Sequence, residues 1–123
     1  MAKTVGAILD LPDDFCHVVH VPTTIHPLGG ARQGKKVALE RFRQIVARYE
    51  ILHYDTSDLM IEKNRAAVEI PFHYRHRATG TVLETTKANF WTLEDGWPVQ
   101  LTEYYDVTDL QAFFGPVVPH AQA

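Results

Sequence analysis

The chain has 123 residues, 22% of them charged and 46% hydrophobic, with a formal net charge of −3. That describes a single globular domain, which at this size removes roughly two-thirds of its unfolded surface from water. Scattered basic residues under a negative balance give no footprint for nucleic acid, and no apolar run approaches the ~20 residues of a membrane span.

The N-terminal stretch has no long apolar core before a cleavage site. No signal peptide is expected, and the expected location is cytoplasmic. Cys16 is the only cysteine and reads as a small buried residue. Residues 4–14 read as a short helix or irregular lead-in that Pro12 stops. Phe15 to Val21 is rich in β-branched residues and predicts a strand. Residues 22–34, with two prolines and three glycines, predict a loop. Lys35 to Tyr49 predicts a helix: Ala38, Phe42, Ile45, Val46 and Tyr49 recur at helical spacing, with Lys36, Glu40, Arg43 and Arg48 away from them.

Ile51 to Glu62 predicts one strand, and Lys63-Asn64 a turn. Arg65 to Ala78 predicts a long strand with Val68, Ile70, Phe72, Tyr74 and His76 on one face. Pro71 cannot donate to a ladder, so an irregular pairing is expected there. Thr79-Gly80 reads as a two-residue turn that sets Tyr74 opposite Thr85, Phe72 opposite Lys87 and Ile70 opposite Asn89. A short terminal helix follows Tyr105, capped by Asp106 or Thr108, with Leu110, Phe113 and Phe114 on its apolar side and Gly115-Pro116 ending it. Residues 116–123 are expected to form a loose tail.

Thr81 to Asp106 reads as a β-hairpin around Asp95-Gly96. A two-residue turn would pair Glu94 with Trp97 and Thr92 with Val99. A three-residue turn pairs Leu93 with Trp97 and Trp91 with Val99. The latter gathers Trp91, Leu93, Trp97, Val99 and Leu101 on one face, and we adopt it. It sets Asn89 opposite Leu101 and Lys87 opposite Glu103, so an amide, an ammonium and a carboxylate stand on an otherwise apolar face. Strands mostly in sequence with one early helix predict an α+β fold: a meandering antiparallel sheet curled around helices, leaving a pocket between them. The other face of the hairpin carries Ala88, Phe90, Pro98 and Tyr104. It is too apolar to stay wet, and a homodimer is expected to cover it.

Several pieces occur in a characteristic order: Asp13-Asp14, Val19-His20-Val21-Pro22, Pro27-Leu28-Gly29-Gly30 and Gly34 before the Phe42 helix. His76-Arg77-Ala78-Thr79-Gly80, Leu93-Glu94-Asp95-Gly96 and Glu103-Tyr104-Tyr105-Asp106 follow. From about Asp13 to Phe114 this succession resembles the SnoaL-like polyketide cyclases, within the nuclear transport factor two-like superfamily that includes ketosteroid isomerases. The resemblance implies a conical, cystatin-like barrel: a strongly curved antiparallel sheet wrapped around helices, with a pocket at the open end and a dimer formed through the sheet. The whole of 1–123 is then one SnoaL-like domain with a shortened N-terminal helix and a wide pocket mouth. Such domains include isomerases, cyclases and non-catalytic proteins, so no single reaction follows. Steroid isomerases carry an aspartate where this chain has Val21 and a tyrosine on a longer first helix. Their oxyanion-hole aspartate corresponds to Asn89 here, and ordinary steroid isomerisation is not expected.

Glu103 is the leading acid–base candidate, because burial in an apolar pocket raises a carboxyl pKa. The competing reading is an ion pair with Lys87 that keeps it charged and structural. Asn89 could polarise a substrate carbonyl or bond backbone at a bulge. His20, near the strand end, could serve as a base in place of the missing aspartate. His17 and His20 point to opposite faces, no HxH or HExxH occurs, and no metal is expected. Lys87, Trp91, Leu101, Tyr105, Phe72, Tyr74 and Tyr54 are expected to line the pocket. The expected function is binding of a hydrophobic small molecule, with cofactor-free isomerase or cyclase chemistry by proton abstraction next to a carbonyl. The alternative is a non-catalytic ligand-binding or interaction module.

Overall fold

The structure, a computed structural model, describes residues 2–22 and 29–114, with side chains from residue 6 onward. The expected tail over 116–123 and the Gly115-Pro116 stop lie outside the described residues. In chain order the elements are α1 (Ala2–Leu9), β1 (Cys16–His20), β2 (Gly30–Gln33), α2 (Lys35–Arg48) and β3 (Tyr49–Tyr54). They continue with β4 (Asp58–Glu62), β5 (Arg65–His76), β6 (Val82–Glu94), β7 (Trp97–Tyr105) and α3 (Val107–Phe114).

The strands form one curved sheet in the order β2-β1-β7-β6-β5-β3, with β4 also paired to β5. The expected α+β class holds, but the sheet is not wholly antiparallel: β1 runs parallel to β7, setting His17 beside Leu101 and Val19 beside Glu103. The loop expected over 22–34 contains β2, an exposed edge strand antiparallel to β1. The single strand expected over 51–62 is two strands on the same partner. The break falls where Pro71 faces it: the Asp55 N–H donates to the Pro71 carbonyl at 3.1 Å, and Asp55 Oδ1 accepts from the Ser57 N–H at 2.9 Å.

Both hairpins keep the expected faces and change the expected partners. At the first, Ile70 stands opposite Lys87 and Phe72 opposite Thr85. The turn takes in residues 77–80, closed by His76 N–H to Thr81 carbonyl at 2.8 Å, with Gly80 at φ 76°. At the second, the tip is a two-residue turn with Asp95 and Gly96 at φ 50° and 81°, and Glu94 pairs with Trp97. A bulge then leaves Val99 unpaired, so that Trp91 faces Leu101, Asn89 faces Glu103 and Lys87 faces Tyr105. Each ladder is displaced by two residues from expectation, and a two-residue displacement leaves every side chain on the same face. Trp97 and Pro98, which precede the bulge, are the exceptions: Trp97 falls on the outer face with Glu94 and is 60% exposed rather than inside, and Pro98, expected outside, pairs with the inward Leu93.

The core lies between the inner face of the sheet and the helices. Val19, Val21, Val68, Ile70, Phe72, Leu83 and Leu110 form it, with Tyr74, Tyr105, Phe113 and Phe114 packed against it. Asp106 Oδ1 accepts from the Asp109 N–H at 2.9 Å and so caps α3. Asp109 Oδ2 in turn accepts from the Thr85 hydroxyl at 2.6 Å, fixing α3 to β6.

Candidate functional site

Four buried polar or charged side chains stand out against this core: Arg41, Lys87, Asn89 and Glu103. Parity places three of them. Positions 87 and 89 of β6 and 103 of β7 alternate inward with Trp91, Leu101 and Tyr105. Arg41 comes from α2, and His17 from the inward side of β1.

Glu103 is the hub. Its Oε1 accepts from Lys87 Nζ at 3.3 Å, and its Oε2 accepts from the Tyr105 hydroxyl at 3.1 Å. His17 Nε2 lies 3.5 Å from Oε2, at the outer limit of a hydrogen bond, with no nearer polar partner. Lys87 and Glu103 are therefore diagonal rather than directly opposite, and they meet because both side chains are long. Burial alone would push the Glu103 carboxyl up. The Lys87 ammonium, with help from His17 and Tyr105, overrides it and holds the carboxyl at about 2. Burial pulls Lys87 down, but Glu103 and the surrounding tyrosines leave it well above the ordinary lysine range. The ammonium also sits 5.0 Å from the centre of the Tyr54 ring, 5.6 Å from Phe72 and 5.4 Å from Tyr105, a cation–π box that compensates part of its lost hydration. Burial pushes the Tyr105 hydroxyl well up and Glu103 adds to it, while burial pushes Tyr74 to about 12. Both phenols stay protonated at neutral pH.

Asn89 is 4% exposed and its Oδ1 has no hydrogen-bond partner among the described residues. Such an atom in a protein interior costs free energy unless something donates to it. It has not found the bulge backbone suggested by one reading of the sequence.

Arg41 was not singled out from the sequence, and His17 was weighed only as a metal ligand and set aside. Arg41 Nη1 donates to His17 Nδ1 at 3.1 Å and to the His17 carbonyl at 3.4 Å, and Nη2 donates to the Gly30 carbonyl at 3.5 Å. Arginine has no acceptor, so His17 Nδ1 must carry the lone pair. The ring proton then sits on Nε2, toward Glu103. A signal existed for both. Arg41 falls three residues after Ala38 and four before Ile45, inside the apolar stripe of the helix. His17 shares strand parity with Val19 and Val21. The logic that picked out Asn89 applies equally to them.

The other expected lining residues divide. Trp91 and Leu101 lie in one row with His17 across the sheet, and Trp91 tilts against Phe15 at 6.2 Å. Phe72, Tyr74, Tyr105 and Tyr54 surround the Lys87 end. His20 is elsewhere. Strand alternation turns it outward, where it is exposed and stacks on Tyr104 with ring centres 4.3 Å apart and planes 2° from parallel. It cannot serve as a base for this cluster. Among the described residues no group of three or more His, Cys, Asp or Glu is placed to hold a metal, and no helix is long and apolar enough to cross a membrane.

A curved sheet with helices packed on it is shared with a solved protein of ketosteroid isomerase-like fold from Catenulispora acidiphila, at a TM-score of 0.74. The sequence matches the SnoaL-like domain family over residues 10–104, and the chain belongs to that family. No curated protein matches it in sequence. Among solved structures it is similar to a candidate isomerase from Rhodopseudomonas palustris, with 26% identity over 84% of this chain and 76% of that one and a TM-score of 0.75. It is also similar to a candidate SnoaL-like polyketide cyclase from Mesorhizobium loti, with 16% identity over 85% and 86% of the chains and a TM-score of 0.72. A further similar structure is TerC co-crystallised with polyporic acid, with 15% identity over 85% and 79% of the chains and a TM-score of 0.72. At these last two identities the likeness speaks for fold.

Proposed function

We propose that this SnoaL-like protein binds an apolar small molecule against the inner face of β6 and β7, and that Glu103 is a fixed charge of the site rather than its proton acceptor. The unpartnered Oδ1 of Asn89 carries the reading. It is a buried acceptor between Lys87 and Trp91 on the inner face of β6, and a ligand hydroxyl or N–H satisfies it. The expectation of an amide donating to a carbonyl is thereby reversed. Both oxygens of Glu103 are occupied and its pKa is about 2, which makes it a weak base at neutral pH. The complex of TerC with polyporic acid supports an organic ring compound as ligand type.

A second reading is a cofactor-free isomerase or cyclase in which Glu103 takes a proton next to a carbonyl. The similarity to the Rhodopseudomonas palustris protein favours it. A thermal-shift screen of aromatic hydroxyl compounds, followed through Trp91 fluorescence in a Trp97→Phe background, tests the first reading. Hits should raise Tm, and Asn89→Leu should abolish their effect. A screen with no stabilising compound would overturn it. Turnover of a ketone that is lost in Glu103→Gln would favour the second reading.

We also propose a homodimer through the outer face, where Phe90, Tyr104 and Met60 are exposed and Phe90 meets Tyr104 edge-on at 5.6 Å.

A further inference from the structure

We infer that the ligand is an organic anion, a carboxylate or an ionised enol, drawn by a surplus positive charge in the buried cluster; this rests on the small-molecule reading above. A count of charges carries the inference. Arg41 and Lys87 are each 5% exposed, and one carboxylate, Glu103, lies with them. Lys87 is paired to it. Among the described residues Arg41 makes no ion pair with a carboxylate: its guanidinium donates to the His17 ring and to the carbonyls of His17 and Gly30. The ion pairs among the described residues join Lys87 to Glu103, Lys35 to Asp13, and Arg75 to Glu50, and the His17 ring approaches Glu103 at 3.5 Å.

The missing charge has no other source in the side chains. Met1 and residues 23–28 and 115–123 contain no Asp or Glu. The Arg41 N–H occupies His17 Nδ1, and the Tyr105 hydroxyl donates a hydrogen bond to Glu103, so neither side chain supplies a negative charge. Arg32 adds to the positive field at Arg41, and Glu103, which already pairs with Lys87, offsets it only from beyond ion-pair distance. A buried charge without a counterion is costly, and an opposite charge brought alongside relieves it. Position decides what kind of anion fits. His17, Leu101 and Trp91 form one row, so a flat apolar frame lying on Leu101 and Trp91 brings an acidic group at its end to Arg41.

Calorimetric titration of the full chain with 2-naphthoate and with 2-naphthalenemethanol tests this. The two probes share a frame and differ in charge. The acid should bind tighter by on the order of tenfold or more, with the advantage shrinking as salt rises. Arg41→Gln should erase the preference, and Arg41→Lys should retain part of it. If Arg41→Gln does not fold, the wild-type pair and its salt dependence decide the matter. Equal affinities for the wild type overturn the inference and leave the small-molecule reading standing. A preference that survives in folded Arg41→Gln overturns it as well. Failure of both probes to bind at millimolar concentration overturns both proposals.

Discussion

The two faces of the β6–β7 hairpin reverse the usual distribution of residue types. The inner face buries an ammonium, a carboxylate and an amide at 87, 103 and 89. The outer face, one residue out of step, leaves Phe90, Tyr104 and Trp97 in the open. Charged groups are seldom fully buried unless paired, and large aromatics are seldom left in water without reason. The comparison separates two kinds of constraint. The inner face is held by specific partners at specific distances. The outer face needs only something apolar to cover it.

The largest effect should come from breaking the inner face. Glu103→Gln or Lys87→Met strands the other charge and should destabilise by roughly 3–5 kcal/mol in urea unfolding. The double variant should recover much of that loss, and the cycle gives the coupling. A coupling near zero would mean that the two residues act independently. Acid should act through the same group. The folded carboxyl lies at about 2, below its ordinary 4.5. Its contribution is therefore present above about pH 4.5 and lost as pH falls through 2. The difference corresponds to about 3 kcal/mol. Stability measured between pH 6 and 2 should show this slope in the wild type, and Glu103→Gln should flatten it.

Smaller effects sharpen the contrast. Asn89→Leu removes an unsatisfied buried acceptor and should raise stability by about 1 kcal/mol while weakening ligand binding. A loss of stability would show that the amide has a partner. Gly96→Ala places a side chain at φ 81° and should cost about 1 kcal/mol without altering the Lys87–Glu103 coupling. On the outer face, Phe90→Glu with Tyr104→Glu should change monomer stability by under about 0.5 kcal/mol. By sedimentation it should convert a dimer to a monomer. A wild type already monomeric at micromolar concentration would count against the interface.

Alternation of apolar residues made the faces of β5, β6 and β7 legible, and with them Lys87, Asn89 and Glu103 as inward. It could not make the partners legible, because a two-residue displacement leaves the pattern unchanged. Turn geometry settles that, and the rejected two-residue tip turned out to be correct, with the Val99 bulge restoring parity. β2 was invisible because Gly30-Ala31-Arg32-Gln33 is exposed and has no alternation to read. The parallel pairing of β1 with β7 joins segments too distant in sequence for turn chemistry to connect them. Of the two readings of Glu103, the geometry favours the ion pair with Lys87 over the free pocket acid. Burial does push the carboxyl up, but a lysine at 3.3 Å outweighs it.

The unpaired Val99 behaves like a correction of reading frame. Pro98 on one side of it pairs with the inner-facing Leu93, and if Val99 took a regular place opposite Thr92, Gln100 and Thr102 would turn inward while Leu101, Glu103 and Tyr105 turned out. A two-residue tip and a one-residue bulge thus form a compensating pair. A change of one residue in the length of this loop is compatible with the buried cluster only when the strand beside it gains or loses one residue as well.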